Sequence, residues 1–307
     1  MSRQEFHNLA EQQLNPPGSY WGNLGLWPQV GEDSQQKVEG HAQQYADACC
    51  ALATELAQQV GLHAQSRVLD IGFGCGDQLL LWLQQYQIQS LHGFNKSHSQ
   101  TELAQQRLQQ QGYGRAAEQC CYGDIAALSA PQWQQLRSQR IDRVVALDCI
   151  YHFTQRQSFL QRSQQLLSPG GRLGFTDLVL LKPFAAMSIK QRLLLRWMFA
   201  ASRIPPQNIQ TLEQQRLLLQ QAGFSQVRYQ DLSQPVMQGF ASWLTAFKSR
   251  YQHRHSRLFW LKYQVTASFL KWACQQGLLG YGVLVADKTD GTVNSVDSAN
   301  GPGCSLS

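Results

Sequence analysis

The sequence predicts an α/β protein built on a doubly wound, mostly parallel sheet of seven strands. A short apolar strand at 66–71 breaks into a glycine-rich turn and continues as an amphipathic helix from about Gln78. Apolar strands and amphipathic helices then alternate as far as residue 180, a pattern typical of a parallel sheet with helices on both faces. Two later strands, separated by a long helical stretch, bring the total to seven.

Each element has its own signal. Apolar residues recur at helical spacing from Val38 to Val60, and Gly61 ends that helix. The first five strands are predicted at 66–71, 88–94, 117–122, 141–148 and 172–179. The helices between them are predicted at 78–87, 97–111, after Pro131, and at 154–167. The later elements are helices at 184–202, 211–221 and 236–276, and strands at 224–230 and 277–288.

These elements divide the chain into three parts. Residues 1–36 form an irregular N-terminal segment with a Pro16-Pro17-Gly18 break. Residues 37–287 form the main domain, with a core at 62–180 and a helical cap at about 181–222 and 236–277 that is inserted late in the sheet. Residues 288–307 are rich in Gly, Ser and Asn, and are predicted to be disordered.

Composition limits the class of protein. The 307 residues can bury a large core, and 43% hydrophobic with 10% aromatic content is normal for a globular protein. The polar N-terminus lacks the apolar stretch of a signal peptide, and Arg196 interrupts the longest apolar run, so a cytoplasmic protein is predicted. The eight cysteines contain no C-x-x-C, which argues against a metal site and a disulfide framework.

The formal charge of +6 favours acidic partners in general. The sequence contains no Lys/Arg run, and charged residues make up only 15% of it, so no nucleic-acid partner is predicted. An anionic membrane surface or a small-molecule substrate remains open.

The turn from Asp70 to Gln78 reads D-x-G-x-G-x-G-D-Q. This spacing differs from the G-x-G-x-x-G of dinucleotide binders and from the Gly-Lys-Ser/Thr ending of a P-loop, which argues against a nicotinamide-dependent oxidoreductase. No lysine follows to hold a phosphate, and Asp77 would repel a pyrophosphate. The turn therefore suits a ligand that carries a cation and a ribose.

Asp70, Gly72, Gly74 and Gly76 resemble motif I of the class I S-adenosylmethionine-dependent methyltransferases. The string VLDIGFGCGDQ is similar to that of small-molecule O-methyltransferases acting on macrolides and cyanobacterial peptides, and the stretches YHF and LLSPGGRLGFTDL extend the resemblance over about 66–180. The resemblance implies a Rossmann-like methyltransferase fold and S-adenosyl-L-methionine as cofactor.

The resemblance also implies where the cofactor binds: the methionine part at the glycine-rich turn, the ribose at the end of strand 2, and the adenine after strand 3. At the ribose position, where the family usually has an acidic residue, this chain has Asn95. The residues predicted to bind the cofactor are Asp70, Gly72, Gly74, Gly76, Asn95, Gln100, Gly123, Asp124, Ile125 and Asp148. Many family members carry an aromatic stretch like Tyr20, Trp21 and Trp27, which predicts a lid, although simple packing on the core is an equal alternative.

His152 is the candidate general base, because an imidazole titrates near the working pH. The residue also follows shortly after strand 4. A histidine bonded to the backbone at a helix start is the alternative. Tyr151, its neighbour, is expected to face the substrate. The predicted reaction is O-methylation of a lipophilic small molecule, a natural product or lipid, while N-methylation, C-methylation and a non-catalytic cofactor-binding protein remain open.

Basic and aromatic residues alternate along the cap. Amphipathic helices with a solvated basic face explain this pattern, and contact with an anionic membrane is the second hypothesis. The last four residues, from Cys304, fit a C-a-a-X box, so prenylation is a further hypothesis if the source is eukaryotic. The oligomeric state is left open.

Overall fold

The computed structural model describes residues 14–28, 41–251 and 256–289. A seven-stranded sheet with the order β3-β2-β1-β4-β5-β7-β6 confirms the predicted fold class. The strands are β1 (Arg67–Ile71), β2 (Ser90–Asn95), β3 (Cys120–Tyr122), β4 (Arg143–Ala146), β5 (Arg172–Leu180), β6 (Phe224–Asp231) and β7 (Leu279–Lys288).

Helices connect these strands and extend beyond them. They are α1 (His41–Val60), α2 (Asp77–Gln84), α3 (His98–Gln110), α4 (Gly114–Gln119), α5 (Ala130–Ser138), α6 (Arg156–Leu166), α7 (Ile189–Ala201), α8 (Leu212–Gln221), α9 (Gly239–Tyr251) and α10 (Arg257–Gln275). A short 3₁₀ helix, Ile150–His152, follows β4, and a π-helical turn, Gln234–Gln238, precedes α9. Among the described residues, none of the helices is both long and apolar enough to cross a bilayer.

The strand order reverses beside β1, which pairs in parallel with β2 on one side and β4 on the other. Ligands of open α/β sheets bind outside the carboxyl ends of the strands at such a reversal. β7 is antiparallel to both of its neighbours, β5 and β6. The reversal therefore places the glycine-rich turn, the end of β2 and the end of β4 around one crevice.

Two apolar cores lie against the sheet. One contains Leu56 of α1, Leu195 of α7 and Trp243 of α9, together with buried residues of α10 and of the N-terminal segment. The other contains Phe159 of α6 and Leu219 of α8. The cap helices α7, α9 and α10 thus share one core with the N-terminal segment, and α8 packs into the other.

Some predicted boundaries are wrong. The strand predicted at 117–122 begins as helix α4, because Ala116 and Ala117 are buried on a helical face, and only 120–122 are strand. The strand predicted at 141–148 is shorter, and Asp148 beyond its end has a left-handed φ of +52°. The helical stretch predicted at 236–276 is divided between α9 and α10. The predicted tail beyond residue 289, including Cys304, lies outside the described residues, as do parts of the segment 1–36.

Candidate functional site

A cavity of about 1160 Å³ opens at the carboxyl ends of the strands. Its walls come from the glycine-rich turn after β1, the ends of β2 and β4, the N-terminal segment and the cap helices α7 and α10. The predicted site residues that line it are Tyr20, Trp21, Gly72, Gly74, Asn95, Gln100, Gly123, Asp124, Ile125, Asp148, Tyr151 and His152. Asp70, Gly76 and Trp27 do not line it.

The glycine-rich turn has one position that faces open space. Gly72 and Gly74 both have left-handed φ angles, +79° and +56°. A Cβ at Gly72 would lie 2.7 Å from Cys149 Sγ, whereas a Cβ at Gly74 would meet nothing within 4 Å. The first glycine is needed for packing and the second leaves the cavity clear, so a ligand can approach the backbone at Gly74.

Asp70 lies beneath the turn and is fully buried. Its carboxylate accepts hydrogen bonds from Gln78 Nε2 at 2.7 Å and from Trp82 Nε1 at 2.6 Å. Burial raises the pKa of Asp70 to about 6, against the opposing effect of these two donors. Because Gln78 lines the cavity, Asp70 contacts the site through Gln78 and joins β1 to the first turns of α2.

The raised pKa of Asp70 gives a testable pH dependence. The folded state holds the proton up to a pH of about 6 and the unfolded chain only up to about 3.8, so the stabilisation by Asp70 is complete below that lower value and is lost as the pH rises through about 6. We expect the free energy of unfolding of the wild type, relative to Asp70→Asn, to fall by about 3 kcal/mol across this window. Urea denaturation of both proteins at several pH values measures it, and two parallel curves would contradict it.

Two side chains predicted at the ribose position contact each other. Asn95 and Gln100 are both buried, and Asn95 Nδ2 lies 3.3 Å from Gln100 Oε1 and 3.4 Å from the Gly74 carbonyl oxygen. Asp124 accepts a hydrogen bond from the Ala126 backbone N–H at 2.9 Å and forms an ion pair with Lys96. The end of β2 is therefore an uncharged amide pair, and the carboxylate after β3 has a cation beside it.

Asp148 forms the polar floor of the cavity. One carboxylate oxygen accepts hydrogen bonds from the hydroxyls of Tyr151 at 2.9 Å and Tyr281 at 2.7 Å, and the other accepts from the Leu24 backbone N–H at 2.9 Å. Its own N–H donates to Thr176 Oγ1. Burial raises the pKa of Asp148, while these donors act in the opposite direction. The left-handed backbone at this residue is costly for a non-glycine and is held by these bonds.

His152 lies at the end of the 3₁₀ helix that follows β4, and it lines the cavity. The ring centroids of His152 and Tyr151 are 4.5 Å apart. Its backbone N–H donates a hydrogen bond to the Cys149 carbonyl, and this main-chain bond holds the turn. The imidazole and the carboxylate of Asp148 thus flank one tyrosine at the wall of the same cavity.

An ion pair that the sequence analysis missed anchors the N-terminal segment. Arg107 of α3 binds both carboxylate oxygens of Asp77, at 2.7 and 2.9 Å, and lies over the Tyr20 ring at 5.0 Å. The Tyr20 backbone N–H points at the same carboxylate, 3.2 Å away. Asp77 stands beside the turn but its charge is neutralised, and no local sequence signal pairs it with a residue 30 positions later.

Trp27 packs in the core and is absent from the cavity wall. Its ring stacks on Trp243 with centroids 5.0 Å apart, and its Nε1 donates to the Leu24 carbonyl at 2.9 Å. A Cβ at Gly239 would overlap the indole, so this glycine makes room for it. Tyr20 and Trp21 thus line the cavity, whereas Trp27 packs on the core, and a lid formed by this segment stays a prediction.

Arg107→Gln is expected to loosen this segment. The variant leaves the partly buried Asp77 without its cation, which we expect to lower the free energy of unfolding by about 1.5–3 kcal/mol and to speed cleavage near Tyr20. Limited proteolysis with mass spectrometry measures the second effect, with Arg137→Gln on the exposed face of α5 as the control. Equal cleavage rates in the two variants would contradict the anchoring role.

Comparisons with known proteins agree with this architecture. Over 128 residues the chain is 27% identical to erythromycin 3''-O-methyltransferase from Saccharopolyspora erythraea, an alignment that covers 42% of this chain but only 40% of that protein. It is 23% identical over 250 residues to 27-O-demethylrifamycin SV methyltransferase from Amycolatopsis mediterranei, covering 80% and 85% of the two chains. The chain thus spans less than half the length of the first relative and most of the second.

Solved structures show the same fold. A putative sarcosine dimethylglycine methyltransferase from Galdieria sulphuraria superposes with a TM-score of 0.69 at 16% identity, covering 87% of this chain and 93% of that one. Geranyl diphosphate C-methyltransferase from Streptomyces coelicolor gives 0.68 at 13% identity, covering 91% and 96%. The sequence model of one family, described as mycolic acid cyclopropane synthetase, matches residues 39–271. This match covers well over half of the chain, which therefore belongs to that family, within the class I S-adenosylmethionine-dependent methyltransferases.

Proposed function

We propose that this protein transfers a methyl group from S-adenosylmethionine to a hydroxyl group of a lipophilic small molecule, a natural product or lipid. The observation that carries the proposal is the continuity of one cavity, from the open position at Gly74 to the apolar walls of α7 and α10. Its volume of about 1160 Å³ exceeds the roughly 300–1,000 Å³ of a typical ligand site. A cofactor and an acceptor therefore both have room.

The residues present suit the cofactor. The clear space above Gly74 would receive the methionine part, the amides of Asn95 and Gln100 would bind the ribose hydroxyls, and Asp124 with Ile125 would hold the adenine. The uncharged pair at the end of β2 suits hydroxyls, and the Asp124 carboxylate can accept from an amino group. When bound, S-adenosylmethionine supplies an electrophilic methyl group on a sulfonium.

The protein's own contribution is orientation, exclusion of water and movement of one proton. A hydroxyl group becomes a good nucleophile only as its proton leaves, and His152 is placed at the cavity wall to accept that proton. Asp148 and the Tyr151 hydroxyl give the acceptor a polar anchor at the cavity floor. The segment around Tyr20 lines the cavity, and displacement of water by a bound cofactor and acceptor would strengthen these polar contacts.

The cap indicates the class of acceptor. The side chains that it contributes to the cavity are predominantly apolar, including Met198, Phe199, Phe269 and Leu270. Binding in such a wall favours a substrate with a large hydrophobic part and a single polar group to orient. One relative is named an erythromycin 3''-O-methyltransferase and another a 27-O-demethylrifamycin SV methyltransferase, which supports a hydroxyl acceptor.

C-methylation is the second candidate, because one of the similar structures is a C-methyltransferase and an attacking carbon would need the same positioning. The test is incubation of the full chain with methyl-labelled S-adenosylmethionine and a panel of lipophilic alcohols, amines and alkenes, with product analysis by mass spectrometry. Label bound to oxygen supports the proposal, and label bound to carbon supports the alternative. Calorimetric titration with S-adenosylmethionine, with NAD as control, tests the cofactor separately, and failure to bind it would overturn both.

A further inference from the structure

Two helices of the cap expose an apolar surface at the rim of the cavity. Ile189, Leu193 and Trp197 follow one another at four-residue spacing on α7, and Leu258 and Leu261 lie at the start of α10. These five side chains are between 57% and 76% exposed. Residues four apart share one face of a helix, so the α7 residues form a continuous stripe. Large apolar side chains grouped in this way mark an interaction surface.

A groove beside this surface shares a wall with the cavity. The groove has a volume of about 430 Å³ and is lined mainly by apolar residues of α7 and α10, including Leu194 and Trp272. Trp197, Met198, Val265 and Phe269 line both the groove and the cavity. Through Trp197, the exposed stripe therefore borders both the groove and the cavity.

The charges around the stripe have one sign. Helix α7 carries Lys190, Arg192 and Arg196, and helix α10 carries Arg257, Lys262 and Lys271, whereas neither of these helices contains an Asp or Glu. Lys190, Arg196 and Lys271 lie on exposed positions. An apolar stripe flanked by cations complements a bilayer, whose anionic headgroups attract the cations and whose acyl boundary accepts the apolar side chains.

We propose that the exposed face of α7 and α10 is a docking surface for an anionic lipid bilayer, with Ile189, Leu193 and Leu258 inserted among the headgroups. Trp197, Leu258 and Leu261 are exposed and also line the cavity, so docking in this orientation sets this side of the cavity against the membrane, where a lipophilic acceptor dissolved in the bilayer would enter. Docking itself stands apart from methyl transfer, because membrane binding requires neither cofactor nor acceptor, whereas the entry of an acceptor rests on the proposed function.

The test is co-sedimentation of the full chain with phosphatidylcholine vesicles, with and without phosphatidylglycerol. We expect binding to the mixed vesicles, weak binding to phosphatidylcholine alone, and release by salt, because exposed charges are screened. The double variant Ile189→Ser/Leu193→Ser should weaken binding at least about tenfold, since the burial of two aliphatic side chains in the bilayer no longer contributes to the binding free energy. Neither residue lines the cavity or the groove.

Matched controls separate this surface from the rest of the molecule. Leu217 is 53% exposed on α8, which packs into the other core, so Leu217→Ser should leave binding unchanged. Lys190→Glu/Lys271→Glu should weaken binding to anionic vesicles about tenfold or more, given the attraction of each cation to such a surface. Arg137→Glu on α5 is its control.

Three results would overturn the proposal. The protein could remain in the supernatant with anionic vesicles, or the control variants could lose binding as strongly as the surface variants. The third result is that a second copy of the chain covers the stripe. Light scattering would then show a dimer that Ile189→Ser/Leu193→Ser abolishes. Thermal unfolding of every variant checks that a loss of binding does not reflect a loss of fold.

Discussion

Replacement of His152 by alanine is expected to lower turnover by about 10²–10⁴-fold, the usual contribution of an aligned general base. The imidazole lies at the cavity wall next to Tyr151, whose hydroxyl contacts Asp148. His152 is not among the residues proposed to bind the cofactor. Affinity for S-adenosylmethionine should therefore remain near that of the wild type. Single-turnover kinetics together with calorimetric titration measure the two quantities separately.

A matched histidine substitution completes this experiment. His63 is an exposed histidine outside the cavity, and His63→Ala should leave turnover unchanged. If His152 accepts the proton of the acceptor, added imidazole should restore part of the activity of His152→Ala. Unchanged turnover in His152→Ala would show that the histidine is structural. A loss of turnover that imidazole does not relieve, joined with weakened cofactor binding, would show the same.

Gly74→Leu is expected to reduce the affinity for S-adenosylmethionine at least about a hundredfold, while the protein still folds. A Cβ at this position meets no protein atom within 4 Å, so the added side chain would occupy cavity space. The left-handed φ of +56° adds a backbone cost of about 1–3 kcal/mol. Calorimetry with the cofactor gives the affinity, and thermal unfolding gives the stability.

Gly112→Leu controls for the backbone cost. Gly112 also has a left-handed φ, +82°, and its Cβ would also meet nothing within 4 Å, but it lies outside the cavity. The two variants should lose similar stability, and only Gly74→Leu should lose the cofactor. If Gly112→Leu weakens cofactor binding as much, or if Gly74→Leu binds normally, the space above Gly74 does not hold the methionine part.

The parts of the fold that follow from local pattern were predictable from the sequence. Apolar periodicity predicts the order of strands and helices, and therefore the fold class. The glycine spacing after Asp70 indicates the methyltransferase class and its cofactor, and all three predictions are confirmed. Helix α4 was missed because the run at Gly114–Gln119 is only six residues long and leads directly into β3, so it is too short for either a helical or a strand period to show in the sequence. Local pattern could not decide between them.

The polar contacts of the site were less predictable, because they join residues that are distant in the chain. Asp70 was expected at the cofactor, yet its register against α2 gives it Gln78 and Trp82 as partners. The pairing of Asp77 with Arg107 depends on how α3 packs beside the turn. The sequence could predict that Asp70 and Asp77 lie near the glycine-rich turn. It could not predict which side chain each of them contacts, because that depends on how whole helices and strands pack.

The hydrogen bonds of Asp148 have a consequence for the order in which the protein assembles. Their donors are Leu24, Tyr151 and Tyr281, and the last of these belongs to β7, which pairs with β5 across about a hundred residues of sequence. During synthesis, the ribosome must release the chain through Tyr281 before this carboxylate has all its donors. Contacts between residues that are distant in the sequence form slowly. We therefore expect the hydrogen bonds of the cavity floor to form late in folding, after the central strands have paired.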